Sequence, residues 1–260
     1  MKPKKNLRYS YLGINNRKIY TWPNGTNLAV YIGLNLEHFS FGEGLGAELV
    51  PYSGKEPDIL NYAWRDYGNR VGAWRLASLF EELNIPISLL VNTSIYDHCP
   101  EVITAYRDCN AEIIAHGRTN SERQGGLSEK DESNLISETT ARITKEEGNP
   151  PKGWLGPWIS ESISTPDLLH KHGYEYLLDW CHDDQPTWMK TRTGNLLSVP
   201  YPQELNDIPA IMIRKVSAEQ FSKMIIDNFD EMLEQSEQQP LVMGIALHPY
   251  IVGQPFRLRH

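Results

Sequence analysis

Two stretches near opposite ends of the chain constrain its fold more than anything else in it. Leu28–Asn35 sets Leu28, Val30, Ile32 and Leu34 against Ala29, Tyr31, Gly33 and Asn35. Leu241–His248 does the same, with Leu241, Met243, Ile245 and Leu247 against Val242, Gly244, Ala246 and His248. Side chains alternate along a strand, so each stretch has one face of long or branched apolar residues and one of mostly smaller ones. That asymmetry suits a parallel barrel, where helices cover the outside and side chains crowd the axis. In each stretch the smaller face ends in a polar residue.

Between them lie further strand candidates at Ile85–Asn92, Ala111–His116, Gly153–Gly156, Tyr174–Trp180 and Leu196–Pro200, separated by segments of helical period. Strand alternating with helix predicts a parallel α/β sheet of about seven strands, either a distorted (β/α) barrel or a doubly wound open sheet. No Gly-x-Gly-x-x-Gly opens a helix after an early strand, which leaves a dinucleotide fold without support. Leu76, Leu79, Phe80 and Leu83 form an apolar helical stripe, Thr165-Pro166 reads as an N-cap with proline following, and Ser217 with Gln220 has capping-box spacing. With no repeat and no low-complexity linker, one domain is expected over residues 1–260. Its core spans about 28–257, entered from a Trp22-Pro23-Asn24-Gly25 turn, and residues 1–26 form an N-terminal extension.

A net charge of -8 argues against a broad contact with a phosphate backbone, and no stretch interleaves basic with aromatic residues; nucleic acid is not expected as a partner. No long apolar run offers a membrane span, and the basic start Met1-Lys2-Pro3-Lys4-Lys5 leads into no apolar signal core, so a cytoplasmic protein is expected. Cys99, Cys109 and Cys181 have no metal-knuckle spacing and are odd in number, which reads as reduced thiols.

Barrel enzymes carry their sites at the carboxyl ends of strands. The polar residues there are Asn35, Glu37 and His38 after the first strand, His116 to Asn120 after the third, Asp179 to Asp184 after the fifth, and His248 after the last. Taken singly, each has a plain structural explanation: a surface carboxylate, a satisfied core histidine, a loop cap. Together, carboxylates and imidazoles from four strands can supply a base, an acid and a metal site, a set suited to attack of water on a carbonyl. His38 falls on the opposite parity from Glu37 unless the chain turns at once after the strand.

These points resemble, in order and spacing, the five motifs of the polysaccharide deacetylases, the NodB-homology domain. Asn35-Leu36-Glu37-His38 stands in the place of Thr-Phe-Asp-Asp. His116-Gly117-Arg118-Thr119-Asn120 is similar to His-Ser/Thr-x-x-His, with the second histidine replaced. Leu155-Gly156-Pro157-Trp158 is similar to Arg-x-Pro-Phe/Tyr without the arginine. Asp179-Trp180 matches the Asp-Trp motif, and Ile245-Ala246-Leu247-His248 matches Leu-x-x-His. Within the family, Asp66–Gly72, Asp183-Asp184-Gln185-Pro186, Glu204-Leu205-Asn206-Asp207 and His248-Pro249 look like the allantoinase and cyclic-imide-hydrolase branch, whose members open small ring amides.

The resemblance implies a distorted barrel of the polysaccharide-deacetylase type that hydrolyses non-peptide carbon–nitrogen bonds in a small linear or cyclic amide. Glu37 would activate water, and His248, oriented by Asp179, would protonate the leaving nitrogen. Arg118, Asn120, Trp158 and Arg70 would bind substrate. One divalent metal such as zinc, on Glu37, His38 and His116, would polarise the carbonyl; equally, Arg118 and backbone amides would do so without metal, since Asn120 in place of histidine weakens a zinc site. Two alternatives stand beside this: a metal-dependent deacetylase of N-acetyl sugars, and a catalytically inactive barrel that binds a small molecule. The resemblance further implies a homo-oligomer, a tetramer or dimer.

Overall fold

The computed structural model describes residues 3–42, 45–54 and 57–260; Met1 and Lys2 of the basic start lie outside the described residues. Its centre is an eight-stranded sheet: β1 (Leu28–Leu36), β2 (Ser88–Val91), β3 (Glu112–Ala115), β4 (Gly153–Trp154), β5 (Tyr176–Leu177), β6 (Thr187–Lys190), β7 (Asn195–Ser198) and β8 (Leu241–Leu247). The order is β6-β7-β5-β4-β3-β2-β1-β8, and every neighbouring pair is parallel except β6 with β7. The two stretches that dominate the sequence pair with each other, from Leu28 opposite Leu241 to Leu34 opposite Leu247.

The parity expected for these strands places the small residues inside. Tyr31, Leu90, Ile114, Leu155, Leu178, Tyr201 and Ala246 form one cluster on the inner face of a curled sheet. Gly33 is needed there: a Cβ at this position would stand 3.1 Å from Leu90 Cδ1 and 3.3 Å from Tyr201 Cε2, so the tyrosine crosses the axis over the glycine. Outside, Leu34 and Leu36 pack with Ala73, Leu76 and Phe80 in the larger core.

The barrel has eight strands rather than seven, and its last seam is made by loops. Asp184 O accepts from Val242 N at 2.8 Å and Leu205 O from Ala246 N at 2.9 Å, while Tyr31 Oη donates to Pro200 O at 2.6 Å. The unforeseen strand is β6, which turns back on β7 as a hairpin. Its sequence signal is weak because Met189 alone is fully buried while Trp188 is 63% exposed. The strands after β3 are also shorter than the apolar runs that announce them, ladder pairing being confined to two residues in β4 and β5.

The helices are α1 (Ile59–Tyr67), α2 (Ala73–Leu83), α3 (Ile95–His98), α4 (Pro100–Asp108), α5 (Glu129–Glu147), α6 (Thr165–Lys171), α7 (Ala218–Gln235), α8 (Pro249–Val252) and α9 (Pro255–Leu258). The capping box expected at Ser217 and Gln220 starts α7 with both reciprocal bonds. At α6 the cap is Ser164 instead, and Thr165 is already helical; its hydroxyl accepts from Ser162 N and donates to Glu132. The N-terminal extension is strapped to the domain by Arg8 on Asp167 and Arg17 on Asp183, each a two-pronged ion pair. Among the described residues no helix is long and apolar enough to cross a membrane.

Candidate active site

Strand β1 ends by sending Glu37 toward the barrel mouth on the same parity as Asn35. Its carboxylate is enclosed: Asn120 Nδ2 donates to Oε1 at 2.5 Å, Tyr250 Oη donates to Oε2 at 3.3 Å, and His116 Nε2 and His248 Nε2 each stand 3.5 Å from Oε1. Burial raises the Glu37 pKa, but the His248 charge and the His116 and His248 contacts outweigh it and bring it down to about 2. Its backbone carbonyl is held by Asn69 Nδ2 at 2.8 Å.

Asn69 reaches that carbonyl from a π turn, Gly68–Gly72, between α1 and α2. The turn lies directly on the start of α8, where a Cβ on Gly72 would come 2.1 Å from Pro249 O. One wide turn of helix thus ties Glu37 to the segment that carries His248 and Tyr250.

His248 and His116 are held in different tautomeric settings. His248 Nδ1 lies 2.6 Å from Asp207 Oδ1, and Asp207 Oδ2 accepts the His248 backbone N–H at 2.8 Å. Burial lowers the His248 pKa, yet Asp207 and Glu37 together lift it to about 10, so the ring is an imidazolium facing the Glu37 carboxylate. His116 Nδ1 stands 2.7 Å from Leu155 O and donates to it, which leaves Nε2 buried, without a hydrogen-bond partner, and facing the same carboxylate at 3.5 Å.

Asn120 can likewise be oriented from the backbone outward. His38 N–H donates to Asn92 Oδ1, so Asn92 presents its Nδ2 to His116 O and to Asn120 Oδ1. Asn120 must then turn its own Nδ2 to Glu37.

Glu37, His116, Asn120, Trp158 and His248 line one cavity of about 210 Å³, whose walls include Leu155, Ile159 and Tyr201. Among the described residues, no lysine or arginine lines it. The other residues expected at the site lie elsewhere. Asp179 does not touch His248: its Oδ1 accepts from Gly156 N at 2.7 Å, and Asp207 is the partner of the imidazole. Arg118 turns outward, its guanidinium taken by Glu122 and Glu138, so it neither binds substrate in the cavity nor holds an oxyanion. Arg70 is exposed on the π turn and does not line the cavity. His38 points to the far side of Glu37, as strand parity requires, with its ring stacked 4.2 Å from that of His98. The backbone of His38, not its imidazole, serves the site, since its carbonyl accepts from Asn120 N and Thr119 Oγ1.

No protein-family model matches the chain. A peptidoglycan deacetylase of Helicobacter pylori is 24% identical over 240 residues, 80% of this chain and 80% of the relative. The crystal structure of a probable polysaccharide deacetylase from Pseudomonas aeruginosa PAO1 superposes with a TM-score of 0.85 at 26% identity, over 94% of this chain and 86% of that one. The chain is thus similar in sequence and in fold to the polysaccharide deacetylases. An allantoinase structure shares the fold at a TM-score of 0.81 and 23% identity, over 100% of this chain and 89% of that one. These relatives place this polysaccharide-deacetylase-type chain among the hydrolases of carbon–nitrogen bonds.

The expected metal triad does not form in this chain. Among the described residues no three His, Cys, Asp or Glu side chains converge as a metal site. Glu37 Oε1 and His116 Nε2 are two suitable donors, but Asn120 offers an N–H, His38 points away, and His248 carries a proton shared with Asp207. A cation needs three or four donors, so these residues do not fit one.

Asp207, Tyr250, Asn92 and Asn69 are the site residues that sequence reasoning missed. Asp207 falls in Glu204–Asp207 and Asn69 in Asp66–Gly72, two segments singled out for resemblance without any role for these residues. Tyr250 stands two residues beyond His248 on the next turn. Asn92 ends the apolar run Ile85–Asn92 in the same way that Asn35 and His116 end theirs, and that shared position was its signal.

Proposed function

We propose that this protein opens small cyclic amides, imides or ureides by adding water to a ring carbonyl. The observation that carries the reading is the buried ion pair of Glu37 and His248 beside the unpartnered Nε2 of His116, in a cavity of about 210 Å³ that, among the described residues, is lined by no lysine or arginine. Such a pocket favours a compact, neutral, partly apolar substrate. In this mechanism a water lies between Glu37 and His116 Nε2 and donates a hydrogen to the Glu37 carboxylate. Its oxygen attacks the carbonyl carbon, Glu37 takes its proton, and the imidazolium of His248 protonates the nitrogen as the carbon–nitrogen bond breaks.

The two charges depend on each other, which suits the two proton transfers. The His248 charge keeps Glu37 ionised and ready to accept the water proton; once His248 has passed its own proton to the leaving nitrogen, the burial of Glu37 is no longer offset and the proton it has taken is held until it returns. The developing oxyanion faces the His248 imidazolium in a site largely closed to water. After release the proton returns from Glu37 to His248, whose facing atoms are 3.5 Å apart.

A screen of hydantoin, succinimide and chito-oligosaccharides with the parent protein and Glu37→Gln tests this. Ring opening by the parent is expected, with turnover by the folded Glu37→Gln protein lower by roughly a hundredfold or more, the scale of a lost acid–base group. Equal rates for the two proteins would end the assignment. A second reading, removal of acetyl groups from N-acetyl sugars, has the names of the Helicobacter and Pseudomonas relatives in its favour. Release of acetate from the oligosaccharides, with the rings untouched, would select it. Ligand-induced stabilisation without consumption of any compound would select a binding protein.

A further inference from the structure

One wall of the cavity is built in a conformation that ordinary residues avoid. Trp158 and Ile159, consecutive in the turn Gly156–Ser160, have φ values of 65° and 53°. A bulky non-glycine residue in the left-handed region is strained, the β-branched Ile159 most of all, and two in succession persist only where the surroundings hold them. Both line the cavity. A turn free to relax would swing these side chains, so holding it fixes how far the cavity extends.

Three bonds hold it. Asp179 Oδ1 accepts from Gly156 N at 2.7 Å, Trp158 Nε1 donates to Asn120 O at 2.8 Å, and Ser160 Oγ accepts from Gly125 N at 2.9 Å. Asp179 is itself locked from below. Its Oδ2 and the Oε1 of the neighbouring Glu161 are both buried without a hydrogen-bond partner, an arrangement that one proton held between the two carboxyls would satisfy. Burial and the neighbouring Glu161 hold the Asp179 pKa well above its ordinary value, in keeping with that proton. Trp180 Nε1 donates to the other oxygen of Glu161 at 2.8 Å.

We propose that the turn Gly156–Ser160 is the specificity wall of this pocket and that Asp179 is the positioning residue that sets it, so that ring-sized amides are admitted and N-acetyl sugars are not. The proposal rests on the ring-opening reading above, and binding measurements separate the two. The parent chain, Ile159→Gly, Asp179→Ala and Asp179→Asn are compared for the dissociation constants of hydantoin and N-acetylglucosamine by calorimetry, with KM and kcat for whichever compound is consumed.

Ile159→Gly removes a wall side chain and the strain together, and is expected to shift the ratio of the two dissociation constants toward the sugar by about tenfold, the scale of a few pocket methyl groups. Asp179→Ala is expected to weaken hydantoin binding by about tenfold, and in turnover to raise KM while leaving kcat within about twofold. Asp179→Asn, which keeps an acceptor for Gly156 N, is expected to restore the parent values. A loss of packing alone would show no such rescue. An unchanged ratio in Ile159→Gly overturns the proposal, as does an Asp179→Asn protein as weak as Asp179→Ala, or a parent that binds neither compound. If Asp179→Ala does not fold, Ile159→Gly and Asp179→Asn decide it. A parent that binds hydantoin in preference to the sugar without opening the ring would leave the wall standing and remove the ring-opening reading.

Discussion

Glu37 and His248 hold opposite charges in a space where either alone would be costly, and the stability of the protein should report this as pH changes. The Glu37 pKa is lowered from its ordinary value to about 2, so its contribution is complete above about pH 4.5 and is lost as pH falls through about 2. The His248 pKa is raised to about 10, so its contribution is complete below about pH 6.5 and is lost as pH rises through about 10. Melting temperature measured across this range should fall at both ends, and Asp207→Asn should bring the alkaline fall to lower pH, since it removes one of the two carboxylates that raise His248. An alkaline limb that stays in place in Asp207→Asn would contradict the pairing. Glu161 has the opposite sense to Glu37. Burial raises its pKa to about 7, so the stability it contributes as the protonated acid fades as pH rises from about 4.5 through about 7, and Glu161→Gln should gain on the parent across that interval. Melting curves of the two proteins at acid and neutral pH check this.

The π turn Gly68–Gly72 shows what an element can do that its residues cannot do singly. It widens a helix by one residue, delivers Asn69 to the Glu37 carbonyl and lays glycine against Pro249 at the start of α8. Gly72→Ala places a methyl group where the Pro249 carbonyl now lies, and overpacking against backbone should destabilise the protein by about 1–3 kcal/mol, read as a lower urea midpoint at unchanged m. The same substitution should depress turnover, because the shift displaces His248 and Tyr250 together. A neutral Gly72→Ala would mean that the approach relaxes without cost. Within Asp66–Gly72 it is the glycines and Asn69 that serve the site, while Arg70, the segment's most conspicuous member, faces solvent.

The free edge of the curled sheet at β8 is covered by loops. The backbone of β8 is satisfied along that seam by Asp184 O and Leu205 O, and the tyrosine pair Tyr31 and Tyr201 fills the axis and bonds to Pro200 O and Asn35. Tyr31→Phe keeps the ring and removes the bond to Pro200 O, which should cost about 1–2 kcal/mol in chemical denaturation. A loss below a few tenths of a kcal/mol would show that the carbonyl finds water instead. The chain segment after Tyr201 runs along this seam to Asp207 and then His248, so closure of the barrel and orientation of the imidazole depend on the same residues.

Alternation along Leu28–Asn35 and Leu241–His248 determined by itself that these strands would be two-faced, with Glu37 and His248 at their carboxyl ends, since periodicity is a local property of the chain; that the two pair with each other was decided by the tertiary structure. Parity likewise already separated His38 from Glu37, against the ligand role its motif position implied. Tertiary structure alone decided which acid serves His248, because Asp179 and Asp207 are equally good carboxylates in sequence and differ only in what stands 2.6 Å away. It also decided that Arg118 faces Glu122 and Glu138 and that Asn120 shows a donor rather than an acceptor to the pocket, the latter fixed by a relay that begins at the backbone N–H of His38. Hydrogen bonds between distant segments depend on distances of a few tenths of an ångström, and nothing in a one-dimensional spacing encodes them.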